Sequence, residues 1–387
     1  MCLKKKITAN ESRSIKTKSI IMKKSIIISS VAFLSFFSGN AQQKEAVKNP
    51  KVVVITLDGF RWQELFTGAD QKLVAEKKYV EDTTHLKEKF WRATPEERRS
   101  ALMPFFWNEV TKMGQLHGNR NQGSDVNLTN TMWFSYPGYN EILSGVADDV
   151  RIKSNDKFNN PNTTVLEKIN KLPKYKGKVA AFGSWDVFPF IVNEERSGIP
   201  VNAGFEEAKG KNLSERETFL NELQSKVPSP WDSVRFDAFT SNYALEYMKK
   251  EHPELIYISY GETDDFAHDG NYQAYLNSAH ATDGLIKQLW NYTQSDPFYK
   301  NNTIFILSTD HGRGSEPLDT WRSHGSKIKG ADQVWLVVFG NGVQVLGEVR
   351  SKEQLYSNQI APTVLQLLDS KAKDVDMKGS ALPILKK

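Results

Sequence analysis

The chain has 387 residues, 39% of them hydrophobic and 25% charged, which excludes a disordered or fibrous protein and allows one large α/β domain or two smaller ones. Of its net charge of +5, +7 lies within residues 1–41, so the remainder carries −2 and a basic nucleic-acid surface is not expected. Cys2 is the single cysteine, and beyond it neither a disulfide nor a thiolate ligand is available.

Residues 22–41 read "MKKSIIISSVAFLSFFSGNA": a lysine pair, an apolar stretch from Ile26 to Phe37, then small residues ending at Ala41. That is the pattern of a secretory signal peptide, and its apolar part is too short to span a bilayer. Residues 1–21 then form an upstream extension, and 42–387 the exported protein, periplasmic or secreted, with no membrane span. The alternative is an N-terminal membrane anchor.

Further along, "KVVVITLD" (51–58) is a continuous apolar run that predicts a buried strand. The stretch 70–117 reads as helical. Within it Thr94 is placed as an N-cap, Pro95 at the first helical position and Glu97 to close a capping box. It is expected either to line or cover the pocket or to pack as ordinary helices. Four more runs read as buried strands: 178–185, 254–262, 302–310 and 334–340. Between and after them, 163–172, 235–251, 272–293 and 360–369 read as helices. This alternation predicts an α/β fold, a doubly wound, mostly parallel sheet with helices on both faces.

Ligands of such sheets bind at the carboxyl ends of the strands. There the chain places Asp58 after the first run, Asp264 and His268 after the third, Asp310 and His311 after the fourth, and His324 in the following loop. Each alone has an ordinary explanation as a turn or surface residue; together they are six oxygen and nitrogen donors on one sheet edge. Such donors suit Zn²⁺ and are compatible with Mn²⁺. Asp264 and His268, four apart, face one point if the segment makes a helical turn. Asp310 and His311 share a metal only if the strand has already turned, and Gly312 permits that.

A nucleophile is offered by "SYPGY" (135–139), where Ser135 precedes a helix whose N-terminal donors favour anions; the alternative is that Ser135 caps that helix. Arg151, Lys153, Arg196 and Arg322 are candidate partners of a phosphate monoester. Trp133, Phe134, Tyr136 and Tyr139 are candidate walls for the second group of a diester.

The ordered set Asp58, Ser135, Asp264-x-x-x-His268, Asp310–His311 and His324 resembles the two-metal core of the alkaline phosphatase superfamily, and in particular its type I phosphodiesterase and nucleotide pyrophosphatase branch. The resemblance covers most of 42–387. It implies one zinc on Asp264, His268 and His324, and a second on Asp58, Asp310 and His311 with the Ser135 oxygen. Asn155 lies near the place of that branch's phosphate-binding asparagine. The implied function is an exported phosphoesterase, favouring phosphodiesters or nucleotide pyrophosphates, that works through a phosphoseryl intermediate on a small substrate. Two departures stand out. That branch more often carries threonine in Thr-Phe-Pro-Asn-His, and sulfatases need arginine where this chain has Tyr139. An alkaline phosphomonoesterase is the main alternative; a phosphoglycerate mutase-like enzyme or a non-catalytic phospho-ligand binder is a lesser one.

Overall fold

The computed structural model describes residues 50–369 and 376–386, so the leader proposed at 22–41 and the extension before it lie outside the described residues. Eleven strands are present among the described residues: β1 Lys51–Leu57, β2 Gly114–His117, β3 Ser124–Asn127, β4 Val179–Gly183, β5 Val201–Ala203, β6 Leu255–Tyr260, β7 Thr303–Ser308, β8 Gln333–Val334, β9 Leu336–Gly340, β10 Gly347–Glu348 and β11 Glu353–Tyr356. Eight form one sheet in the order β10-β2-β9-β7-β1-β6-β4-β5, and β11-β3-β8 form a small second sheet. In the large sheet only β9 runs against its neighbours, β2 and β7; every other pairing is parallel.

Side chains alternate across a strand, so an apolar run such as β1 feeds two cores. Val53, Ile55 and Leu57 pack on one face with the helices Thr83–Phe90, Pro104–Asn108, Asp237–Glu251 and Tyr272–Ser295. Val52 and Val54 pack on the other with Ser135–Ser144, Val165–Lys171 and Ile360–Leu368. The expected fold class is therefore what the chain adopts. No described helix is long and apolar enough to cross a membrane.

Between β1 and β2 the chain makes five short α-helices, Trp62–Thr67, Gln71–Ala75, Thr83–Phe90, Pro95–Leu102 and Pro104–Asn108, and a 3-10 turn, Val110–Lys112, so the stretch read as helical over 70–117 ends instead in strand β2. The Thr94 capping box is formed, with the hydroxyl accepting from Glu97 N and the carboxylate accepting from Thr94 N. Leu73, Val74, Leu86, Phe90, Leu102, Phe105 and Phe106 bury this region in the first core, as a packing layer on the sheet face.

Candidate active site

The adjacent parallel strands β7, β1 and β6 end side by side, about 5 Å apart from neighbour to neighbour. Asp58 follows β1 directly, and its N–H still donates to Tyr260 O at 2.9 Å. Gly59 then turns sharply at φ 56°, in a spot where a Cβ would lie 2.8 Å from both Arg313 Nε and Asp264 Oδ1. After β6 only Gly261 intervenes before the helix Glu262–His268, which sets Asp264 and His268 one turn apart. The chain leaves β7 at Thr309, whose hydroxyl donates to His311 O at 3.0 Å, so Asp310 and His311 come after the strand has turned. The loop carrying His324 is held through Gly325 N, which donates to Trp133 O at 2.8 Å.

All six metal-ligand candidates meet at this edge, with Ser135. Asp58, Asp310 and His311 each place a donor atom within 4.8 Å of the others, and so do Asp264, His311 and His324. His311 Nε2 lies 3.2 Å from Asp58 Oδ1, 3.5 Å from Asp310 Oδ2, 3.5 Å from Asp264 Oδ1 and 3.4 Å from Ser135 Oγ. His268 Nε2 lies 3.2 Å from Asp264 Oδ2 and 2.9 Å from His324 Nε2, while His324 Nε2 is 3.8 Å from Asp264 Oδ1. His268 is the most exposed of these residues, with 47% of its side chain open. His311 thus stands between two groups of donors. Its Nδ1 is 3.0 Å from Gly312 O, which only accepts, so that nitrogen carries a hydrogen and Nε2 is the atom turned toward the carboxylates.

The electrostatics of the cluster call for cations. Asp58 Oδ1 and Asp310 Oδ2 are buried with no hydrogen-bond partner. Burial, reinforced by the charge of Asp264, pushes the Asp58 carboxyl well up; burial and the charge of Asp58 do the same to Asp310. Burial also pushes Asp264 up, but the Arg313 guanidinium and His268 outweigh it and hold that carboxyl well below the usual range. Burial, with His311 alongside, holds the His324 imidazole well below its ordinary value, in the neutral form that ligates metals. Carboxylates and neutral imidazoles without thiolate fit a divalent cation such as zinc.

Ser135 is the first residue of the helix Ser135–Ser144 and does not cap it; the N-cap is Phe134, with no side-chain cap bond. The Ser135 hydroxyl is free of that structural duty. Gly138 explains how the helix gets so near, because a Cβ there would lie 2.1 Å from Asp310 O. The helix terminus itself offers little to an anion. Pro137 has no N–H, Gly138 N donates to Phe134 O at 3.0 Å, and Tyr136 N donates to Asn155 Oδ1 at 2.9 Å. Asn155 therefore stands beside Ser135 with its amide oxygen occupied and its Nδ2 donor free to turn outward.

Several neighbours have duties other than those expected of them. Tyr136 and Tyr139 are buried, and do not wall a substrate: the Tyr136 hydroxyl donates to Phe158 O at 2.7 Å and that of Tyr139 to Asp58 Oδ2 at 2.8 Å. Arg151 is paired with Asp148 and Arg196 with Glu167. Arg322 Nη2 donates to His268 O at 2.8 Å. Two site residues were not anticipated in these roles, Tyr139 and Arg313, which is paired with Asp264. Only the sequence neighbourhood, "SYPGY" and "DHGRG", hints at either.

Comparison with known proteins gives a consistent picture. No curated protein matches the chain in sequence. The profile of the sulfatase family matches residues 179–370, a span that includes Asp264, His268, Asp310, His311 and His324 but neither Asp58 nor Ser135. Among solved structures, the alkaline phosphatase PafA is similar with a TM-score of 0.58 at 12% identity, over 88% of this chain and 100% of that one. The lipoteichoic acid synthase LtaP from Listeria monocytogenes gives 0.55 at 12%, over 86% and 75%. A putative sulfatase from Bacteroides thetaiotaomicron gives 0.52 at 13%, over 87% and 74%. At such identities the structures speak for the fold alone, and none of these matches supports the phosphodiesterase branch. The chain is thus similar to the sulfatase family over residues 179–370, just under half of its length, and adopts an alkaline phosphatase-like fold shared with known ester hydrolases.

Proposed function

We propose that the protein is an exported two-metal phosphoesterase with Ser135 as nucleophile. The observation that carries this reading is the pair of buried, unpartnered oxygens, Asp58 Oδ1 and Asp310 Oδ2, facing a histidine nitrogen that is itself 3.4 Å from Ser135 Oγ. Asp58, Asp310 and His311 with the Ser135 oxygen would hold one divalent cation, and Asp264, His268 and His324 the other. When bound, two such ions, most suitably zinc, supply the positive charge that makes a serine hydroxyl acidic and offsets the charge of a phosphoryl group.

Ser135 Oγ would lose its proton and attack phosphorus in line as the ester P–O bond breaks and the leaving oxygen takes up a proton; water then attacks phosphorus, its hydroxyl staying on the phosphate and its other proton returning to Ser135 Oγ. The Ser135 N–H and Asn155 Nδ2 would donate to non-bridging oxygens, with Asn155 held by the Tyr136 N–H. A phosphodiester is favoured over a monoester, because Arg151 and Arg196 are committed to Asp148 and Glu167. Trp133 and Phe134, both partly exposed, leave apolar surface beside Ser135 for a second ester group. A sulfate ester is the second reading, favoured by the family match at 179–370. Against it stands Tyr139, buried on Asp58 in the position where the sulfatase signature has arginine.

Turnover of p-nitrophenyl phosphate, its bis ester and p-nitrophenyl sulfate by the zinc-loaded full chain separates the three. The bis ester is expected to be the best substrate, with loss of signal in Ser135→Ala. Preference for the sulfate ester would overturn the phosphoesterase reading.

A further inference from the structure

We propose that Arg313 is a positioning residue that holds both groups of donors at one spacing, so that losing it weakens both cation sites together. This rests on the two-ion reading above and deepens it. Arg313 is 1% exposed, and every acceptor of its guanidinium belongs to a segment that carries a candidate ligand. Nε donates to Gly59 O at 3.1 Å, Nη1 to Arg322 O at 2.7 Å and Nη2 to Asp264 O at 3.1 Å, while the Asp264 carboxylate completes the set as an ion pair. Gly59 adjoins Asp58, Arg322 lies two residues before His324, and Arg313 itself lies two after His311.

One rigid plane of N–H donors therefore joins the turn after β1, the helix after β6, the loop after β7 and the loop of His324. A guanidinium can do this because its five donors are fixed in a fork; an ammonium has a point charge and no such span. The room left at Gly59 is shaped to the group, since a Cβ there would lie 2.8 Å from Arg313 Nε. The carbonyl of Gly59 ties the guanidinium to the Asp58 side, and the Asp264 and Arg322 contacts tie it to the other. Displacing it should relax both at once, whereas replacing a ligand should empty one site and spare the other.

The test is zinc titration of the metal-depleted full chain against a competing chromophoric chelator, comparing wild type, Arg313→Gln and His324→Ala, with thermal unfolding of each metal-free protein measured alongside. Wild type is expected to bind two ions and His324→Ala one. Arg313→Gln is expected to bind two, each about tenfold to a hundredfold more weakly, the range seen when groups that orient metal ligands are removed. If Arg313→Gln kept wild-type affinities, or lost affinity at one site alone, the inference would be overturned. A wild type that takes up no zinc overturns the two-ion reading and this inference with it. Should Arg313→Gln fail to fold, Arg313→Lys carries the same test: a smaller loss at both sites supports the proposal, and unchanged affinities contradict it.

Discussion

Ser135 and Tyr139 sit one helical turn apart and separate two roles. With its hydroxyl free of capping, Ser135→Ala should abolish turnover while two metal ions per chain remain by elemental analysis; near-native turnover would remove Ser135 from the mechanism. Tyr139 holds Asp58 Oδ2 at 2.8 Å and leaves Oδ1 to face His311. Tyr139→Phe deletes that bond with little change in shape, and should weaken metal binding about tenfold while turnover at saturating zinc falls less. The same carboxylates set a pH dependence. Burial, then the neighbouring charges, raises Asp58 and Asp310 well above the unfolded value, so in the metal-free protein they keep their protons where the unfolded chain has lost them. Stability from these two groups is therefore present at low pH and falls as pH climbs toward the folded values, Asp264 working in the opposite sense. A cation displaces those protons, so the rise in melting temperature on adding zinc should be larger at pH 8 than at pH 6. An equal or smaller rise at pH 8 would contradict the assignment.

Two short helices bring the chemistry to the sheet edge, and each depends on one residue outside the ligand set. The helix Glu262–His268 has no side-chain cap of its own; Asp237 caps it from the next layer, Oδ1 accepting from Gly261 N at 2.7 Å and Oδ2 from Glu262 N at 3.3 Å. Glu262 returns the bond, accepting from Asp237 N at 2.7 Å. Asp237→Ala leaves buried donors unpaired and should cost about 2–3 kcal/mol in urea unfolding. It should also loosen zinc at the site built on Asp264 and His268, which an unchanged titration would refute. The helix Ser135–Ser144 depends on Gly138, which packs against backbone that cannot move aside. Gly138→Ala should push Ser135 away from His311 and lower kcat by about a hundredfold or more, since a displacement of about 1 Å has that effect. A crystal structure of the variant with the helix unmoved would contradict this.

At the scale of the molecule, the inner strands were legible because β1, β4, β6, β7 and β9 are continuous apolar runs buried on both faces. The short strands β2, β3 and β5 were not, since four residues such as "GQLH" carry no run and are made strands by their partners. The candidate site was legible for a related reason: six acidic residues and histidines follow the carboxyl ends of buried strands, ordinary singly but not as a set, and the topology set β7, β1 and β6 side by side. The roles of Arg313 and Tyr139 were not legible because an arginine in a polar loop or a tyrosine in a helix looks ordinary until tertiary contacts reveal what it holds. The duties of Arg151, Arg196 and Tyr136 are equally invisible in sequence, being fixed by partners from other segments of the chain.

The most direct test of the central claim is an anomalous difference map at the zinc edge from crystals of the zinc-loaded full chain. Two peaks are expected, one bounded by Asp58, Asp310 and His311 beside Ser135 Oγ, the other by Asp264, His268 and His324. Peaks elsewhere, or none at this sheet edge under saturating zinc, would contradict the account.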